Sequence, residues 1–158
     1  MADLVIERIF DAPVEKVWEA WTNPEMVKKW WGPKDFTCPV AEIDLKVGGK
    51  YLLAMRGPAG SEFDKNLYST GTYKEIVPNK KLVITDSFSD SEGNPVSPTE
   101  YGMPESFPDE LEITIEFEEM DGKTKMKLTH AGMPQGEVAE QTQAGWNESL
   151  DKLASSLS

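Results

Sequence analysis

ELEITIEFEEMDGKTKMKLTH, residues 110–130, is the stretch on which the fold turns. Leu111, Ile113, Ile115 and Phe117 alternate with Glu112, Thr114, Glu116 and Glu118, and Met126, Leu128 and His130 alternate with Lys125, Lys127 and Thr129. A period of two puts one set on each face of a strand, so residues 110–118 and 124–130 are predicted strands with one buried and one wet face. Asp121-Gly122 between them supplies the positive φ that a tight hairpin demands. From 136 to 156 the period changes: Val138, Thr142, Trp146, Leu150, Leu153 and Leu157 recur at three- and four-residue spacing, as on one side of a helix. At ~1.5 Å per residue such a helix spans ~30 Å and can lie along a sheet. Gly145 in its middle costs ~1 kcal/mol relative to Ala, so it is either tolerated or marks a close approach or space for something else.

Upstream the same reasoning finds strands at residues 4–10, 36–46, 50–57, 67–77 and 81–88, jointed by Gly48-Gly49 and Pro78-Asn79. In the first, Leu4, Ile6 and Phe10 cannot face inward without Arg8, which then needs a carboxylate or ligand as partner. Two short helices follow, opened by Pro13 and Pro24. Val14, Val17, Trp18 and Trp21 form one apolar stripe, and Met26, Val27, Trp30 and Trp31 another; Trp30 and Trp31 cannot both point inward, so one belongs at a rim. Trp18 and Trp21 are expected to wedge the helices against the sheet. Residues 89–109 form a long irregular connection, with Tyr101, Met103 and Phe107 as apolar anchors, read as a loop packed over an opening. The expected fold is α+β: one domain over residues 1–158, with two short helices after the first strand and a curved antiparallel sheet wrapped around a long C-terminal helix.

Composition narrows function. Sixteen Lys and Arg against twenty-eight Asp and Glu leave a net charge of −12, a field that repels nucleic-acid backbones and anionic membrane surfaces. With a single Cys and a single His, disulfide frameworks and Cys/His zinc sites are excluded, and no metal or cofactor is expected. The N-terminus has neither the basic start nor the apolar stretch of a secretory signal, and no run is long enough to span a bilayer, so a cytoplasmic location is expected.

No nucleophile and base, acid and base pair, or phosphate-cradling loop stands out. Cys38 alternates with Phe36 and Val40 and reads as a small buried hydrophobe. The positive signal is a set of aromatic and polarizable side chains suited to an apolar ligand: Tyr51, Leu53 and Met55 along one strand, Tyr73 and Phe88 on two others, and Met133, Trp146 and the rim tryptophan Trp31. His130, at the mouth between sheet and helix, could hydrogen-bond that ligand. The alternative is that these side chains meet and fill the core.

Several segments carry a family likeness: Phe10-Asp11-Ala12-Pro13-Val14-Glu15-Lys16-Val17-Trp18, Trp30-Trp31-Gly32-Pro33, Val47-Gly48-Gly49-Lys50-Tyr51, Met55-Arg56-Gly57-Pro58, residues 71–78, Thr129-His130-Ala131-Gly132-Met133, and Gly145-Trp146 through Leu150 and Leu153. In this order, over nearly the whole chain, the sequence resembles the homologues of the activator of the ninety-kilodalton heat-shock-protein ATPase, within the START-like (SRPBCC, helix-grip) superfamily. The resemblance implies the helix-grip fold. It leaves function open, since that scaffold serves lipid carriers, hormone receptors, cyclases and a co-chaperone module. The leading expectation is a non-catalytic module holding a small apolar or aromatic ligand between sheet and C-terminal helix. The alternatives are a co-chaperone-like domain that meets a chaperone or other protein through Glu112, Glu116 and the long loop, and a cyclase-like enzyme using His130 or Arg8.

Overall fold

The computed structural model describes residues 2–105, 107–134 and 136–157; Met1, Ser106, Gln135 and Ser158 lie outside the described residues, Ser106 within the predicted long connection. The order is β1 (Ala2–Phe10), α1 (Val14–Thr22), α2 (Pro24–Trp30), β2 (Thr37–Ile43), β3 (Lys50–Arg56), β4 (Asn66–Val77), β5 (Lys81–Ser89), a 3-10 turn (Pro98–Tyr101), β6 (Leu111–Met120), β7 (Lys123–Met133) and α3 (Glu137–Ser156). Among the described residues the strands form one antiparallel sheet in the order β1-β7-β6-β5-β4-β3-β2. Strands β2 to β7 meander, while β1 returns beside β7, so α1 and α2 carry the chain from one sheet edge to the other. Register shifts in the β1/β7, β2/β3 and β4/β5 pairs bend the strands and help the sheet curve.

The 110–130 reading holds at residue level. Asp121 and Gly122 have φ of 50° and 83° and close a two-residue turn between Met120 and Lys123. Ile113 pairs with His130, Ile115 with Leu128 and Phe117 with Met126, all buried on the concave face. β7 continues to Met133, three residues past its predicted end, because β1 stays paired with it as far as Ala2.

The helices separate two kinds of inward residue. Val17, Ala20, Trp21 and Trp30 are buried, and the Trp30 indole Nε1–H donates to the Ala20 carbonyl at 2.8 Å, pinning α2 on α1. Trp31 is the rim residue of its pair. Trp18 meets Phe117 of β6 edge-on at 5.6 Å and so wedges α1 on the sheet as expected, but it stays half-buried, because α1 turns its deepest side toward Trp21 and Val17. On α3 the apolar stripe is buried only at Leu150 and Leu153, both with no exposure, while Val138, Thr142, Trp146 and Leu157 are half-buried. Arg8 does face α3, and its partner is the carboxylate of Asp151: Nη2 lies 2.6 Å from Oδ1, and Nη1 donates to the Asn147 carbonyl. Lys152 fastens the same helix to the segment after α2, its Nζ donating to the carbonyls of Gly32, Pro33 and Phe36. Cys38 is buried as expected.

Candidate functional site

The underfilled half of α3 has a cause. Between its N-terminal half and the concave face lies a cavity of about 340 Å³, walled by side chains from both and by the 90–110 connection. Gln141, Thr142, Gly145, Trp146 and Ser149 form its roof. A Cβ at Gly145 would meet only Pro33 Cγ, at 3.6 Å, so the glycine is not required by close packing and leaves space open. The connection is packed down on the opening as expected, with Tyr101, Met103 and Phe107 in the wall. Phe88 lies 5.3 Å from the Tyr101 ring and 5.9 Å from the Phe107 ring, and the Tyr101 hydroxyl donates to the Ser89 carbonyl at 2.6 Å.

Six of the nine side chains nominated from sequence meet at this cavity: Trp31, Met55, Phe88, His130, Met133 and Trp146. Tyr51, Leu53 and Tyr73 do not. They lie 4%, 5% and 4% exposed in the core against Trp21, Trp30 and Leu82, where the remaining space is about 20 Å³, little more than one water's room. The concave face is thus divided along the strands. The α1 and α2 tryptophans fill one end, so Tyr51 and Leu53 of β3 are core while Met55, further along the same face, reaches the cavity.

Two polar side chains stand out in the wall. His130 is 4% exposed; its Nδ1 accepts the Trp146 indole Nε1–H at 3.3 Å, and its Nε2 has no hydrogen-bond partner. An indole nitrogen can only donate, so Nδ1 is the bare nitrogen and Nε2 carries the proton. Burial pulls the imidazole down to about 4, and it is neutral at pH 7. The second is Asp86, which sequence reasoning passed over. Its signal was present: Leu82, Ile84, Asp86 and Phe88 alternate, putting a carboxylate on the apolar face of β5. Burial pushes it up to about 6, against the lowering effect of the Tyr51 hydroxyl, which donates to Oδ1 at 3.1 Å and is also 2.8 Å from the Thr85 carbonyl. Gly71 on β4, paired with Tyr51, makes that reach possible, since a Cβ there would stand 2.8 Å from the Tyr51 ring and clash with the Thr85 carbonyl.

Other nominated chemistry is placed elsewhere. Arg8 is held by Asp151 and does not line the cavity, which removes it from a cyclase-like site. Glu112 is 2.7 Å from Lys74, and Glu116 stands opposite Lys127 on the convex face, so those carboxylates belong to a mixed Glu/Lys ladder. A shallow surface groove beside α3 is lined by Lys29, Lys34, Glu148, Asp151 and Lys152, likewise of mixed charge. Among the described residues no three His, Cys, Asp or Glu side chains are grouped to hold a metal, and no helix is long and apolar enough to cross a membrane.

A curved antiparallel sheet gripping a long C-terminal helix defines a START-like, helix-grip domain. The chain belongs to the family described as Activator of Hsp90 ATPase homolog 1-like protein, whose sequence profile matches residues 11–158. Among solved structures it is similar to a protein from Chromobacterium violaceum at 26% identity, covering 99% of this chain and 96% of that one with a TM-score of 0.80. A protein from Staphylococcus epidermidis is 26% identical over 99% of this chain and 89% of its own, with a TM-score of 0.76. The AHSA1 protein from Silicibacter pomeroyi shares the fold, at 22% identity over 99% of this chain and 97% of its own with a TM-score of 0.74. No curated protein sequence matches the chain.

Proposed function

We propose that this protein holds one small, largely apolar or aromatic molecule between the concave sheet face and the N-terminal half of α3. The observation that carries the reading is the cavity itself: about 340 Å³ of space bounded by Trp31, Met55, Phe88, Met133 and Trp146. Ligand sites commonly run ~300–1,000 Å³ with mainly apolar and aromatic walls and a few polar groups, which describes this one. The groups that would carry covalent or acid–base chemistry do not converge here on a nucleophile, so binding is the activity the geometry supports.

Two measurements test it. Native mass spectrometry of freshly purified protein should show a small molecule retained by the folded chain. Titration with 2-ethylnaphthalene, followed by quenching of tryptophan emission from Trp31 and Trp146, should saturate with Kd on the order of 10–100 µM for so small an apolar ligand. Gly145→Leu should abolish that binding with the thermal midpoint retained, since leucine is a better helix former than glycine and would enter open space. Wild-type protein that neither retains a molecule nor binds the probe would refute the reading.

A further inference from the structure

The charge in the cavity wall has one sign. Among the described residues neither lysine nor arginine lines it, His130 is neutral at pH 7, and the charged side chains are two carboxylates, Asp86 within and Asp109 exposed at the mouth. Lys152 of α3 and Arg8, which faces that helix, are already engaged, by three backbone carbonyls and by Asp151. Asp86 opens on the cavity. It alternates with Ile84 and Phe88 on the concave side of β5, and β5 is flanked by β4 and β6, so the part of this half-buried side chain that stays open faces the space it lines.

The Asp86 carboxylate is short of donors. Among the described residues one hydroxyl reaches it, that of Tyr51, 3.1 Å from Oδ1, and the same hydroxyl lies closer, at 2.8 Å, to the Thr85 carbonyl. A phenol has one proton to give, so the two acceptors share it, and Oδ2 has no donor among the described residues. Unlike His130 Nε2, which is sealed from water-sized contact, Oδ2 is not enclosed. Burial pushes this carboxyl up to about 6, which leaves it ionised at pH 7.5. An ionised carboxylate in a mostly apolar wall with one shared hydrogen bond is costly, and the fold bears that cost before any ligand arrives. The Trp31 and Trp146 rings, perpendicular at 5.6 Å, add π-faces whose negative potential also favours a cation. We propose, resting on the reading that the cavity holds a small apolar molecule, that the molecule it selects is a cation: an apolar or aromatic body bearing a protonated amine that donates to the open oxygen of Asp86. The body fills the space the side chains leave, and the ammonium turns the desolvation already imposed on Asp86 into attraction. A carboxylate or phosphate on the ligand meets like charge with no cation in the wall to offset it.

Four naphthalenes that differ in one substituent test this on the full chain at pH 7.5 and physiological salt, by equilibrium dialysis: 2-ethylnaphthalene, 2-naphthylmethanol, 2-naphthylmethylamine, which is protonated at this pH, and 2-naphthoate. The amine should bind ~3–10-fold tighter than the alcohol, and the naphthoate at least ~10-fold more weakly than the amine. Asp86→Asn, which keeps the shape and removes the charge, should bring amine and alcohol within about twofold of each other and narrow the naphthoate deficit to below ~3-fold. Asp109→Asn should leave the order of the four ligands unchanged, because a charge exposed at the mouth is screened. Binding of 2-ethylnaphthalene shows in each variant that the cavity is intact, and if Asp86→Asn fails to fold the wild-type series decides alone. An amine bound no tighter than the alcohol, a naphthoate bound as well as the amine, or an amine preference that survives Asp86→Asn would overturn the selection for a cation, while 2-ethylnaphthalene binding leaves the cavity reading standing. No binding by any of the four would overturn both.

Discussion

Asp86 and His130 titrate in opposite senses, so replacing either should tilt the pH dependence of folding in a direction set by its shift. His130 is held at about 4 against an ordinary 6.5. The unfolded chain therefore takes up the proton first, and the stability contributed by the neutral imidazole is full above pH 6.5 and lost as pH falls through 4. Asp86 is held at about 6 against an ordinary 3.8. Here the folded state takes up the proton first, so the contribution is full below pH 3.8 and lost as pH rises through 6. Between pH 7.5 and 4.5 the histidine loses and the aspartate recovers about 2 kcal/mol each, so the two contributions oppose one another in the wild type. Asp86→Asn removes the recovery, so the variant should lose about 2 kcal/mol relative to wild type over that range. His130→Phe removes the loss and should gain a similar amount. Urea unfolding of each variant beside wild type, at several pH values from 4.5 to 7.5, isolates the effect because the other carboxylates cancel in the difference. A difference that stays constant with pH within ~0.5 kcal/mol would refute the placement of both groups in a low-dielectric wall.

Packing predictions are simpler. Trp30→Ala, at a fully buried indole that also donates to Ala20, should cost about 3–5 kcal/mol, and half-buried Trp18→Ala only about 2, both read as denaturant midpoints. Leu53→Trp should overpack the core and lower stability by ~1–3 kcal/mol without blocking 2-ethylnaphthalene, since Leu53 lies outside the cavity. Lys152→Met should cost about 2 kcal/mol in the same assay, because it strips the charged donor from three carbonyls. Arg8→Ala should cost no more than ~1 kcal/mol and depend on salt, because Asp151 is largely exposed.

Much of the cavity was legible one side chain at a time. The alternation through 110–130 put His130 on the buried face, the anchors Tyr101, Met103 and Phe107 marked a loop packed over an opening, and Gly145 marked space in the middle of a helix. Asp86 was legible too, as a carboxylate at an inward position of an apolar strand, but one strand's pattern says nothing of the Tyr51 hydroxyl that reaches it across β4. The need of an inward Arg8 for a carboxylate or a ligand followed from the cost of burying charge, whereas the choice between them, and the identity of Asp151 far along the chain, did not.

Local periodicity and turn chemistry determined most of the elements, their faces and the antiparallel pairing of strands joined by short turns, because these depend on residues a few positions apart; the seat of β1 beside β7 did not follow from them. Only the tertiary structure decided how the concave face is shared. Tyr51, Leu53 and Met55 obey the same alternation, yet Trp21 and Trp30 arrive from another part of the chain to fill the space before the first two and stop short of the third. Whether an inward side chain meets packed atoms or open volume depends on what stands opposite it, and that is set by how the helices seat on the sheet, a quantity that no single strand's sequence contains.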